Sequence, residues 1–177
     1  MRTATVNIPT VLTVGRIALI PVFVLFTPEK PLLGVALFLV AAVTDFFDGY
    51  LARRTGQVTK LGIILDPIAD KLLVIAALVL LVDMVRISSW VAIVIILREF
   101  LVTTFRFVAL SKGIVMPAEQ SGKTKTVLQM IAVVLLLLPG GFAGLDFYDA
   151  GLVTIYLAAI LAVVSGIKYT ISFWRQI

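Results

Sequence analysis

The sequence predicts an all-α integral membrane protein with six transmembrane helices, both termini in the cytoplasm and a polar, acid-lined site at the cytoplasmic side. Three observations carry this. The 177 residues are 61% hydrophobic and only 14% charged, whereas a soluble domain is about 45–50% apolar and about 25% charged. The mean hydropathy is +1.14. The apolar residues fall into six stretches, several near the length of about 20 residues that crosses a hydrocarbon core, and basic residues alternate between the connections. The length suits a single domain, residues 1–177.

The first stretch covers about 8–26. It is preceded by polar residues and a proline, without a continuous apolar core or a small-residue cleavage site, so a cleaved leader is not expected. The second runs from about 32 to 53, after the turn sequence TPEKP, and the third from about 60 to 81, after RRTGQVT. The fourth covers about 90–110, the fifth about 123–138 and the sixth about 152–173. Their connections, DMVRISS, SKGIVMPAEQSG and PGGFAGLDFYDAG, carry the glycine, proline and small polar residues of turns. No internal repeat is visible.

Arg2, Arg53, Arg54, Lys60, Lys112, Lys123, Lys125, Lys168 and Arg175 fall at the N-terminus, the second and fourth connections, and the C-terminus. The other connections hold only Lys30 and Arg86, and the last holds Asp146 and Asp149. The positive-inside rule then places both termini in the cytoplasm, in accord with an even number of spans. Topology also accounts for the net charge of +5. There is no basic, aromatic-rich face of the kind that binds single strands, so nucleic acid is not an expected partner. Topology does not account for Arg98 and Arg106, which lie inside an apolar helix, where a charge usually faces a cavity and a partner.

Cys and His are both absent. Thiolate chemistry, imidazole bases and the usual zinc sites are therefore excluded. Acid–base or metal chemistry has to use carboxylates, lysines, tyrosines or the backbone, and four carboxylates crowd into DFFDGYLARRTGQVTKLGIILDPIAD, residues 45–70. At about 100° per residue, Asp45, Asp48, Gly49 and Ala52 share an arc of roughly 100° on the second helix, with Arg53 at its edge. Gly62, Asp66 and Asp70 are spaced four apart, one stripe of the third helix. The short connection makes the two helices antiparallel neighbours, so the acids can face one another, and the small residues leave room for a ligand. Four clustered carboxylates need compensating charge. Arg53 supplies one, and hard divalent cations with all-oxygen ligands, Mg²⁺ or Mn²⁺, fit best. Two such ions form a clamp suited to phosphoryl transfer. Pro67 either kinks the third helix beside Asp66 or lies in its first turn. The competing view, a salt-bridged cytoplasmic rim, leaves the two facing stripes unexplained.

The pattern Asp45-x-x-Asp48-Gly49-x-x-Ala52-Arg53, eight residues, then Gly62-x-x-x-Asp66-x-x-x-Asp70 resembles the signature of the CDP-alcohol phosphotransferase family, with every fixed position filled. NIPTVLTVGR, REFLVTTFR and GKTKTVLQM resemble its phosphatidylglycerophosphate-forming bacterial branch, so the resemblance covers most of the chain. It implies a homodimeric enzyme of the cytoplasmic (inner) membrane that joins an alcohol to CDP-diacylglycerol and releases CMP. In that branch the acceptor is glycerol 3-phosphate. Carried over, Asp45, Asp48, Asp66 and Asp70 hold two metal ions, Gly49, Ala52, Arg53 and Gly62 line the CDP site, and Asp70 is the general base.

Physical chemistry agrees with these roles. Charge develops on the diphosphate and on departing CMP, and cations offset it. The incoming hydroxyl needs a base within reach, and without His a carboxylate serves. Direct in-line displacement is favoured, although an aspartate nucleophile stays open. The anionic acceptor calls for a basic pocket. Arg98 and Arg106, about 80° apart on one helix, with Lys123 and Lys125 on the next, are the candidates. For Arg106 the alternative is a structural pair with Glu99, seven residues away; for the lysines it is topology. Asn7 and Thr10 either contact the nucleotide or cap the first helix. Gln129 lines the cavity or makes an interhelical hydrogen bond. The third and fourth helices are candidate dimer surfaces. A CDP-diacylglycerol-dependent cardiolipin synthase, taking phosphatidylglycerol as acceptor, or another CDP-alcohol phosphotransferase is the alternative within the family, and a small carrier or channel the alternative outside it.

Overall fold

The computed structural model describes the backbone of residues 8–55, 60–114, 120–142 and 144–176, and the side chains of residues 13–44, 71–114, 124–141 and 144–175. Six helices dominate: α1 (Ile8–Phe26), α2 (Pro31–Thr55), α3 (Lys60–Asp83), α4 (Ser89–Ser111), α5 (Gln120–Leu137) and α6 (Phe147–Gln176). All six expected helices are present. By length and composition one of them, α6 over Phe147–Arg175, clearly reaches a membrane-crossing span among the described residues. Shorter apolar runs occupy Thr13–Phe26, Pro31–Thr44 and Thr124–Leu137. The architecture is that of an all-α membrane protein. Large apolar side chains such as Leu97, Phe100, Leu101, Ile160 and Ile167 are exposed, which suits lipid as the surrounding solvent better than water.

Two compact units are present, one from Met1–Leu80 with Leu137–Pro139, the other from Leu81–Leu136 with Gly140–Ile177. In the first, α1 packs on α2. The fully buried rings of Phe23 and Phe38 meet at 5.9 Å between centroids. Pro31 opens α2, where its missing N–H costs nothing and its fixed φ already suits a helix. Buried Thr27 turns its hydroxyl back onto the Phe23 carbonyl, and Gly34 leaves the space that Thr27 fills.

In the second unit α4 packs on α6. Val91, Ile95, Val102 and Ala109 form the buried stripe of α4. Ile155, Ala158, Ala162, Ser165, Tyr169 and Phe173 form that of α6. Small residues in the α6 stripe let the two backbones approach, the usual way helices associate where no water drives them together. The α4 helix ends with Gly113 at φ +75°, its N–H on the Leu110 carbonyl at 3.0 Å, a conformation glycine adopts without strain.

The last connection and the start of α6 differ most from the sequence expectation. The last connection holds a two-residue antiparallel hairpin, β1 (Gly141–Phe142) and β2 (Leu145–Asp146), with Gly141 opposite Asp146. α6 then begins five residues earlier than the apolar run, at Phe147. The cause is a cap: the Asp146 carboxylate accepts the Tyr148 N–H at 2.8 Å, and Asp149 sits in the first turn. Both acids act favourably on exposed N–H groups at a helix start. Hydropathy registers them only as polar.

Candidate active site

The acidic pattern lies on two helices. Asp45, Asp48, Gly49, Ala52 and Arg53 are on α2; Gly62, Asp66 and Asp70 are on α3. Helical backbone at both places keeps the spacings that put each set on one face. α3 is helical from Lys60 onward, so Pro67 is interior to it and does not mark its start. The side chains of these residues, with those of Thr10 on α1 and Lys123 on α5, lie outside the described residues, as does Asn7 entirely. The expected metal ligands, CDP contacts and general base fall there. Among the described residues no group of three or more acids forms a metal site.

The basic residues expected to bind an anionic acceptor are partly described, and two converge. The Glu99 Oε1 atom accepts from Arg98 Nη1 at 3.2 Å and also pairs with the Lys125 ammonium from α5. The second Arg98 terminal nitrogen donates to Ser165 Oγ on α6 at 2.8 Å. Ser165 in turn donates to the Ala162 carbonyl at 3.1 Å, which aims its oxygen at the arginine. Lys125 is 1% exposed, and the Arg98 and Glu99 side chains are 12% and 18% exposed. Charges this far from water are tolerated only when paired and hydrogen-bonded. A Cβ at Gly166 would stand 3.1 Å from Arg98 Cγ, so α6 is shaped to admit the arginine stem. Arg98 also edges an apolar cavity of about 370 Å³ between α4 and α6, lined by Leu97, Leu101, Val163 and Thr170 among others.

Glu99 therefore does not pair with Arg106, which is exposed. Gln129, one turn beyond Lys125, is 2% exposed and its Nε2 has no hydrogen-bond partner among the described residues; Tyr169, one turn beyond Ser165, is 6% exposed and its hydroxyl likewise has none among them.

Three residues escape sequence reasoning. Glu99 figures there only as a possible mate for Arg106, and Ser165 carries no motif. Arg16 on α1 is 4% exposed, beside Thr13 at 1%. A cation inside an apolar span was the available signal for Arg16. No local signal exists for Ser165, whose role depends on another helix.

Comparison with known proteins places these residues in context. A family model described as CDP-alcohol phosphatidyltransferase matches residues 6–165. The chain is 40% identical to a protein of Bacillus subtilis (strain 168) named CDP-diacylglycerol–glycerol-3-phosphate 3-phosphatidyltransferase, over 97% of each chain. It is 41% identical to the protein of the same name from Rickettsia bellii, over 92% of this chain and 93% of that one. A probable phosphatidylglycerophosphate synthase of Mycobacterium tuberculosis is 35% identical over 97% of this chain and 83% of its own length.

Proposed function

Because this chain belongs to the CDP-alcohol phosphatidyltransferase family, we propose that it transfers the phosphatidyl group of CDP-diacylglycerol to glycerol 3-phosphate, giving phosphatidylglycerophosphate and CMP. One observation carries the choice of acceptor. Relatives named for that reaction align with nearly the whole chain at about 40% identity.

In the proposed reaction a hydroxyl oxygen of glycerol 3-phosphate attacks the phosphorus that carries diacylglycerol. The bond from that phosphorus to the CMP oxygen breaks as the new one forms, and CMP departs with the electron pair. Asp70 takes the hydroxyl proton. Gly49, Ala52 and Gly62 leave space for CDP, Arg53 offsets charge on the diphosphate, and Asn7 and Thr10 meet the nucleotide. Arg98, Arg106, Lys123 and Lys125 take the acceptor's phosphate, for which arginine's paired donors are well suited.

The donor set of Asp45, Asp48, Asp66 and Asp70, all oxygen and all acidic, fits hard divalent cations. Two Mg²⁺ or Mn²⁺ ions held there would supply charge neutralisation at the reacting diphosphate. Residues 1–177 act as one catalytic domain, with six spans, both termini in the cytoplasm and the acidic site facing it, in the cytoplasmic (inner) membrane and as a homodimer. The apolar outward faces of α4 and α6 and the alternation of basic connections support the membrane placement.

The test is CMP release by detergent-purified protein from CDP-diacylglycerol. Release that requires both a divalent cation and glycerol 3-phosphate, and that is lost on chelation and in Asp70→Asn, is the expected result. Release that instead requires phosphatidylglycerol would make the protein a cardiolipin synthase. Absence of release with any alcohol from folded protein would overturn the enzyme reading.

A further inference from the structure

The carboxylate of Glu99 has a place in the basic cluster that no motif assigns. One oxygen of it holds two cations from two helices, Arg98 on α4 and Lys125 on α5. Ser165 holds the far side of the same guanidinium from α6. Three helices therefore meet on one short chain of polar contacts inside a largely apolar unit. Stability alone is a poor reason for such a device, because replacing a buried ion pair by well-packed apolar residues is commonly neutral or stabilising. The arrangement does something apolar packing cannot. It keeps two cations close together, suppresses their repulsion, and removes the rotamer freedom that each would otherwise lose on meeting an anion.

We propose that Glu99 is a positioning residue for the anionic acceptor: it holds Lys125 and Arg98 as a preorganised pair for the acceptor's phosphate without touching the substrate itself. The proposal rests on the reading that those two cations bind that phosphate. Ser165 is the second brace. Its proton is committed to the Ala162 carbonyl, so its oxygen has one orientation, toward Arg98. Gly166 completes the fit by leaving room for the Arg98 stem.

Glu99→Gln keeps the shape and one acceptor oxygen and deletes the charge. It is expected to raise the KM for glycerol 3-phosphate about tenfold, the scale of one charge-assisted contact, while the KM for CDP-diacylglycerol and kcat change less than about threefold. Ser165→Ala should move the same KM in the same direction by less, about threefold. A purely structural role would instead lower the active fraction and leave the KM values alone. Glu99→Gln with an unchanged acceptor KM, or with both substrates' KM values raised equally, overturns the proposal. Where Glu99→Gln cannot be isolated folded, Ser165→Ala decides, and an unchanged acceptor KM then overturns it. Arg98→Gln and Lys125→Met separate the two failures. If neither raises the acceptor KM, the phosphate-pocket reading is wrong; if both do and Glu99→Gln does not, only the positioning role is wrong.

Discussion

The coupling between Glu99 and Lys125 can be measured as a stability difference. Glu99→Gln deprives two largely buried cations of the carboxylate they share, Lys125 being 1% exposed. Breaking a buried pair in this way costs about 3–5 kcal/mol, because the remaining charge stays out of water. Lys125→Met should cost less, about 1–2 kcal/mol, since Glu99 retains Arg98 at 3.2 Å and methionine refills much of the volume. The double variant removes a cation and a carboxylate together. It should be less destabilised than the sum of the single variants by about 1–3 kcal/mol, the range for residues in one ionic network. For a chain of this size about 1 kcal/mol corresponds to roughly 2–4 °C in Tm. Glu99→Gln should therefore fall by roughly 10 °C, with a measurable part recovered when Lys125→Met is added. The assay is thermal unfolding of the four purified proteins in one detergent. Additivity within about 0.5 kcal/mol would refute the pairing. Recovery of stability without recovery of acceptor affinity is the expected joint outcome, since the double variant still lacks a phosphate-binding cation.

Tyr169→Phe deletes a buried hydroxyl that has no hydrogen-bond partner among the described residues, so its Tm should be unchanged or slightly raised. A loss above about 1 kcal/mol would show that the hydroxyl is satisfied. Gly34→Ala should lower Tm by several degrees. The new methyl would overlap the Thr27 side chain, and overpacking of about 1–3 kcal/mol outweighs the gain in helix propensity of about 1 kcal/mol. A stabilised variant would refute that close packing. Arg106→Ala should raise the KM for glycerol 3-phosphate without lowering Tm, because the exposed Arg106 has no structural pairing with Glu99 to lose. An unchanged KM and rate would remove Arg106 from the acceptor pocket.

Helix number and order were legible because they depend on local quantities: apolar run length, turn residues, and the chemistry of each connection. The acidic pattern rests on the same kind of local quantity: spacings of three and four put residues on one face of any helix, while the partners of those acids lie outside the described residues. Helix ends were less legible. The early start of α6 depends on a single carboxylate meeting a backbone N–H two residues on, and an apolar average passes over such a contact.

Sequence alone determined the class of protein, the family and the residue types available for catalysis, since composition and short-range spacing are properties of the chain before it folds. Tertiary structure decided the partners. Arg106 lies on the same face of α4 as Glu99 but seven residues on, about 10 Å along the axis, too far for a direct contact between the two turns without extended side chains. Lys125 is 26 residues from Glu99 in the chain and is its ionic partner because α5 brings it there. The burial of Arg16 and the grip of Ser165 on Arg98 belong to the same class. Periodicity tells which face of a helix a residue occupies; only packing tells which other helix that face meets.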